Sequence, residues 1–215
     1  MSPKPIFLFD FDGVIVDTLN EAHLTFNRLF KTLQLKPAAK EEVRSMYNKN
    51  IHDALLEYGV KEKDFKKLWS MIKAREKGRT NRVSLYPSIN LLLQSLKNYH
   101  LYIISASATA AVKSYLKRKK LLNYFQGVQG AEEGLSKIDK IEKIIKREKT
   151  SPQKTYFLTD TVGDVLEGKK TDVKIIGVAW GYHKYRELKA VSPDYLFKTP
   201  GELIKAIPKL CKNSK

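Results

Sequence analysis

Residues 6–18 read Ile6-Phe7-Leu8-Phe9-Asp10-Phe11-Asp12-Gly13-Val14-Ile15-Val16-Asp17-Thr18, an apolar run that stops at two aspartates and a glycine. A short, wholly apolar run ending in charge is the pattern of an inner strand in a parallel sheet, buried on both faces. In an open α/β sheet the carboxyl ends of the strands form the ligand crevice. Two aspartates placed there cost free energy unless a cation or a reaction on an anion uses them. One can attack phosphorus as a nucleophile; the other can donate a proton to the leaving group and later activate water. Gly13 lets the chain turn without side-chain obstruction. The competing reading is an ordinary turn rich in Asp and Gly.

Outward from this segment, similar runs recur at Leu101-Tyr102-Ile103-Ile104, Tyr156-Phe157-Leu158 and Val173-Lys174-Ile175-Ile176-Gly177-Val178. Lys174 interrupts the last and moves it toward an edge, and a weaker candidate covers 125–128. Between them lie amphipathic stretches. Ile89, Leu92, Leu93 and Leu96 recur at helical spacing, as do Ile138, Ile141, Ile144 and Ile145. Strand and helix alternate, which predicts an α/β, doubly wound core with a parallel sheet flanked by helices. The interval between the first strand and Leu101 is far longer than one crossover helix requires. It reads as helix over 20–33, 40–48, 51–58 and 62–76, with Gly59 and Gly78 as punctuation and Pro87 opening the return helix. The expected organisation is a core from 1–18 and 84–215, with a small helical lobe over 19–83 inserted after strand one. The tail after Pro208 is expected to be short, basic and frayed.

A chain of 215 residues suffices for one substantial core and a small second lobe. Its 42% hydrophobic and 29% charged content is that of a globular protein, not a disordered one. No stretch is long and apolar enough to cross a bilayer, and Met1-Ser2-Pro3-Lys4-Pro5 does not resemble a signal peptide. The single cysteine, Cys211, can form no internal disulfide, so a reducing, cytoplasmic setting is expected. The net charge of +17 attracts anions, from small phosphorylated metabolites to nucleic acid. No aromatic-basic stripe supports nucleic acid, and solvated helix faces account for much of the charge. The sequence sets no oligomeric state.

The other strand ends strengthen the reading of Asp10 and Asp12. Leu101–Ile104 gives way to Ser105-Ala106-Ser107, small residues suited to holding phosphate oxygens through hydroxyl and backbone N–H, although a serine there is also an ordinary helix cap. Leu158-Thr159 leads to Asp160, with Asp164 four positions on. Asp160 is placed to bind a hard divalent cation through oxygen, with Asp164 binding directly or through water; the competing reading is an acidic loop with one helix cap. Lys137, opening the helix at Ile138, can balance the carboxylates and hold a phosphoryl group as a point charge, and Lys140 competes for that role.

These segments resemble the four motifs of the haloacid dehalogenase-like hydrolase superfamily. Asp10 to Thr18 resembles the first, Ser105 the second, Lys137 the third, and Asp160 with Asp164 the fourth, in order across residues 6–181. Ser136-Lys137-Ile138-Asp139-Lys140-Ile141 matches the third motif with Lys137 opening the helix. Gly177-Val178-Ala179-Trp180-Gly181-Tyr182 resembles the corresponding segment of phosphoglycolate phosphatase-like members. Two departures are Thr159, where a glycine is common, and Ser88 after Pro87, where Pro-Gly is common.

The resemblance implies a Rossmann-like core, a C1-type helical cap and Mg2+ as cofactor. It implies an aspartyl-phosphate mechanism on a small phosphate monoester such as phosphoglycolate or a sugar phosphate. Asp10 would be nucleophile and metal ligand, and Asp12 general acid/base with its carbonyl on the metal. Ser105, Ala106 and Lys137 would hold phosphate; Asp160 and Asp164 would hold or support the metal. Arg44, Asn48, Lys49 and Arg82 of the cap are candidate substrate readers. The alternatives are a phosphomutase on a sugar phosphate, or a nucleic-acid-binding or interaction protein on the same scaffold. Asp12 argues against dehalogenation, because dehalogenases of the superfamily lack that second aspartate.

Overall fold

The computed structural model describes residues 4–67, 70, 83–134 and 136–212. Its centre is β1 (Ile6–Phe9), every residue of which is buried. On one side β1 pairs in parallel with β4 (His100–Ile104), and on the other with β6 (Thr155–Thr159). The sheet continues to β5 (Gly127–Gln129) beyond β4, and to β7 (Lys174–Val178) and β8 (Tyr195–Phe197) beyond β6. Its order is therefore β5-β4-β1-β6-β7-β8, with every pairing parallel. Register is what makes a site of this. Phe9 stands opposite both Ile103 and Leu158, so the chain leaves three adjacent strands at nearly one level, at Asp10, Ser105 and Asp160.

Burial follows the two-residue period of a strand. Phe7 and Phe9 join one hydrophobic cluster with Leu101, Ile103, Tyr156 and Leu158, covered by α4 (Ile89–Ser95), α5 (Thr109–Arg118) and α9 (Pro200–Lys212). Ile6 and Leu8 join another on the opposite face, covered by α6 (Lys137–Glu148), α7 (Val162–Gly168) and α8 (Tyr185–Ala190). A third cluster lies within the inserted segment. There α1 (Leu19–Thr32), α2 (Lys40–Ser45) and α3 (Ile51–Glu57) bury Phe26, Leu29, Phe30, Val43 and Leu55 against one another.

The expected α/β core with a parallel sheet flanked by helices is the observed architecture, and four details differ. The helix expected over 40–48 is α2 followed by a 3-10 turn at Met46–Asn48. Over 62–76 the described residues form a 3-10 turn at Glu62–Asp64 and then helix, and the remainder of that expectation, with Arg82, lies outside the described residues. The chain after Pro208 is helical to Lys212 rather than frayed. Leu210 is buried there, and the Tyr156 hydroxyl donates to its carbonyl at 2.8 Å, anchoring the last turn. Finally, β8 and a two-stranded antiparallel pair, β2 (Val16–Asp17) with β3 (Ser84–Leu85), carry no usable sequence signal at two or three residues each. Lys174 opens β7, one strand in from the edge. Among the described residues no helix is long and apolar enough to cross a membrane.

Candidate active site

Immediately after β1 the backbone folds back on itself. The Ile15 N–H donates to Phe11 O at 3.0 Å and the Gly13 N–H to Val16 O at 2.9 Å. Gly13 has φ +79°, a region that disfavours side chains, and a Cβ there or at Gly181 would collide with the Asp160 carboxylate. Two glycines thus let the ends of β1, β6 and β7 converge.

Asp10 is buried, and its N–H extends the sheet ladder to Leu158 O at 2.9 Å. Its Oδ1 accepts from the Phe11 N–H at 2.7 Å, while Oδ2 lies 2.9 Å from Lys137 Nζ. The same ammonium donates to Ile104 O at 3.0 Å and lies 3.4 Å from Asp164 Oδ2. All three Lys137 donors therefore have a partner of opposite polarity. Burial works against its charge, but Asp10 and Asp164 outweigh that and hold it above the ordinary lysine range. Burial likewise pushes the Asp10 carboxyl above its ordinary range, and Lys137 opposes the push.

Lys140, one helical turn further on, faces elsewhere: its Nζ donates to Ser105 O at 2.6 Å. The structure places Lys137 at the carboxylates and Lys140 behind the loop after β4. Burial, with Lys137 adding to it, pulls Lys140 down to about 8. A lysine depressed on folding destabilises the native state below its folded pKa, and the penalty fades as pH rises toward the unfolded value of about 10.4. Relative to Lys140→Met, the wild-type protein should therefore gain unfolding free energy between about pH 7 and about pH 10. Urea melts at both values check this; a difference that does not change with pH contradicts it.

Asp12 is half-buried, and its Oδ2 accepts from Ser107 Oγ at 2.6 Å. Ser107 was legible only as part of the Ser105-Ala106-Ser107 run; its contact crosses from the β4 loop to the β1 loop. Ser105 is fully buried, with its Oγ accepting from the Ser107 N–H at 2.9 Å, so it props the loop from beneath while Ala106 and Ser107 face the cleft. Thr159 takes on work as well. Its hydroxyl donates to Asp164 Oδ2 at 3.1 Å and accepts from the Thr161 N–H at 3.3 Å. Thr161 Oγ1 in turn caps α7 by accepting from the Asp164 N–H at 3.2 Å. The residue that departs from the common glycine thereby orients an acid of the site.

Asp160 is fully buried. Its Oδ2 accepts from the Tyr182 N–H at 2.6 Å, while its Oδ1 has no hydrogen-bond partner among the described residues. Burial pushes its carboxyl up to about 8, the Tyr182 amide works the other way, and Asp164 adds to the rise. A buried carboxylate oxygen left unpaired among other carboxylates is the environment a hard cation relieves. Among the described residues no three acidic or imidazole side chains already converge on one point, so the fit rests on this oxygen and on the all-oxygen donor set of Asp10, Asp160 and Asp164.

A cleft of about 140 Å³ opens over these residues, with Asp10, Asp12, Lys137 and Asp164 on its core side. The inserted helical segment meets the core beside it through several contacts. His183 accepts from the Val162 N–H through Nδ1 at 2.8 Å, which leaves Nε2 to donate to Arg44 O at 3.2 Å. The Tyr47 and Tyr182 rings meet edge to face at 4.9 Å. Of the expected cap readers, Arg44 turns its guanidinium to Glu41 at 2.5 Å and Glu187 at 3.8 Å, joining cap to core rather than facing the cleft. Asn48 is exposed and does not line the cleft, whereas Lys49 does, with its ammonium 2.7 Å from Glu57 Oε1. Sequence reasoning gave no role to Tyr47, Asn50, Ile51, Tyr182 or Glu167, all of which line the cleft. The helical spacing of Ile51 and Leu55 was the signal available for that wall.

Residues 7–178 match the family model of the haloacid dehalogenase-like hydrolases. A phosphoglycolate phosphatase of Synechococcus elongatus is 23% identical over 95% of this chain and 98% of its own. A pyrophosphatase, PpaX, of Oceanobacillus iheyensis is 21% identical over 92% of this chain and 94% of its own. The solved structure of a haloacid dehalogenase-like family hydrolase from Streptococcus pneumoniae superposes with a TM-score of 0.81 at 22% identity, covering 95% of this chain and 98% of that one. The chain belongs to the haloacid dehalogenase-like hydrolase family, and it is an enzyme of that class.

Proposed function

We propose that the protein is a magnesium-dependent phosphatase that hydrolyses a small phosphate monoester through an aspartyl-phosphate intermediate. The observation that carries this reading is the Lys137 ammonium held between Asp10 Oδ2 at 2.9 Å and Asp164 Oδ2 at 3.4 Å, at the carboxyl edge of the central strands. The names borne by the two sequence relatives, a phosphoglycolate phosphatase and a pyrophosphatase, support it. The single Cys211 is compatible with a reducing, cytoplasmic setting.

In this reading Asp10 attacks phosphorus in line with the leaving oxygen. Lys137 and the backbone N–H of Ala106 face the phosphoryl oxygens, while Ser105, whose hydroxyl accepts from the Ser107 N–H, holds that loop in place. Asp12, fixed by its bond from Ser107, protonates the leaving alcohol, then removes a proton from the water that cleaves the acyl phosphate. Asp10, Asp160 and Asp164, with the Asp12 carbonyl, would hold Mg2+, which supplies positive charge to the phosphoryl oxygens when bound. The cap shelters the reaction from bulk solvent.

The test is phosphate release from a panel of monoesters, beginning with phosphoglycolate and hexose phosphates, with magnesium present and after chelation. Release that stops on chelation and returns with magnesium is expected. Equal release in both conditions contradicts the cofactor assignment, and isomerised product without free phosphate points to a phosphomutase.

A further inference from the structure

Among the described residues the cap side of the cleft is mainly apolar. Ala22 and Phe26 stand one turn apart on α1, and Ile51 and Leu55 one turn apart on α3, so each helix offers the cleft one face. Tyr47 lies between these helices in sequence. Its ring stacks on Phe26 with centroids 6.4 Å apart and meets Tyr182 edge-on. Phe26 and Leu55 are buried, which fixes the wall rather than leaving it to rearrange around a ligand.

Three polar side chains along this wall have partners within the chain. Lys49 Nζ donates to both carboxylate oxygens of Glu57, at 2.7 and 2.8 Å. Asn50 Oδ1 caps α3 by accepting from the His52 N–H at 2.9 Å, and Thr25 Oγ1 donates to Glu21 O at 2.7 Å. On the core side the cleft presents Asp10, Asp12, Asp164 and Glu167 around Lys137. A ligand's second anionic group would have to compete with Glu57 for Lys49, and it would lie in the field of four carboxylates. An apolar body would meet aliphatic and aromatic carbon instead, which is how a small-molecule site gains affinity.

We propose that the cleft selects phosphate monoesters of an uncharged alcohol with an apolar or aromatic body over those whose alcohol carries a second anionic group. This rests on the phosphatase reading above for its chemistry, and Phe26, Tyr47 and Ile51 are its specificity determinants.

The test separates the two ideas by reading binding without turnover. Phosphonates, whose carbon–phosphorus bond this mechanism does not cleave, are titrated calorimetrically into the wild-type protein with magnesium: benzylphosphonate against phosphonopropionate. Benzylphosphonate should bind roughly tenfold or more tightly, the range that hydrophobic-pocket contacts provide. Equal or tighter binding of phosphonopropionate overturns the proposal, as does binding of neither. If no monoester releases phosphate while the benzyl preference holds, the hydrolytic reading fails and the selectivity stands. Ile51→Lys, folded by circular dichroism, should reverse the order, and an unchanged order overturns the proposal. Ile51→Ala, the milder change, should weaken benzylphosphonate several-fold and leave phosphonopropionate alone; equal loss for both overturns it.

Discussion

Asp10→Asn is expected to lower kcat by about 10³-fold or more while leaving the fold in place. Asparagine keeps the shape of the side chain and can still accept from the Phe11 N–H, which bonds Asp10 Oδ1 at 2.7 Å. Lys137 keeps Ile104 O at 3.0 Å and Asp164 Oδ2 at 3.4 Å, so its charge is not stranded. What disappears is the anionic oxygen that forms the bond to phosphorus, a function no neighbour replaces. Asp12 cannot substitute, because its Oδ2 is tied to Ser107 on the adjoining loop. Steady-state phosphate release together with a urea melt checks both halves of the expectation. A wild-type rate in the variant removes Asp10 from the nucleophile role.

Lys137→Met should damage both activity and stability, and its pH dependence carries the information. Removing one partner of a buried ion pair costs about 3–5 kcal/mol, because the remaining charge loses its compensation. In the wild-type protein Lys137 is held above the ordinary lysine range, so its contribution is fully present at neutral pH and fades as pH rises from the unfolded value of about 10.4 through its own higher pKa. In the variant, burial raises the Asp10 carboxyl unopposed. A carboxyl raised on folding destabilises above its unfolded pKa of about 3.9, and the penalty vanishes as pH falls below that value. The stability gap between wild type and variant should thus be wide near neutrality and close toward acid. By the same sign, the acid limb of the variant's residual kcat profile should move to higher pH. A gap independent of pH would mean that Lys137 acts through packing alone.

The sheet was legible because its inner strands are buried on both faces, and a segment such as Ile6–Phe9 has no other plausible environment in water. The carboxylates were legible because a charged residue directly after such a strand has few structural reasons to be there. Contacts between distant segments were not. Composition does not distinguish Lys137 from Lys140, which share a helix three residues apart; only the motif resemblance favoured Lys137, and one meets Asp10 while the other meets Ser105 O. The bond from Ser107 to Asp12 spans 95 residues, and that from His183 to Arg44 spans 139. The cap positions are a related case. Arg44 and Lys49 were chosen for their charge; Arg44 meets Glu41 and Glu187 away from the cleft, whereas Lys49 meets Glu57 and still lines it. Among the described residues the cap wall that faces the cleft is mainly apolar, and a search for cations passes over most of it.

The central claim is that a phosphoryl group passes through Asp10. The protein turning over a radiolabelled phosphate monoester with magnesium can be quenched in acid within milliseconds and mapped by peptide. The account predicts a transient, hydroxylamine-sensitive label on the peptide containing Asp10, absent from Asp10→Asn. Turnover with no protein-bound label, or with label on a peptide lacking Asp10, would contradict it.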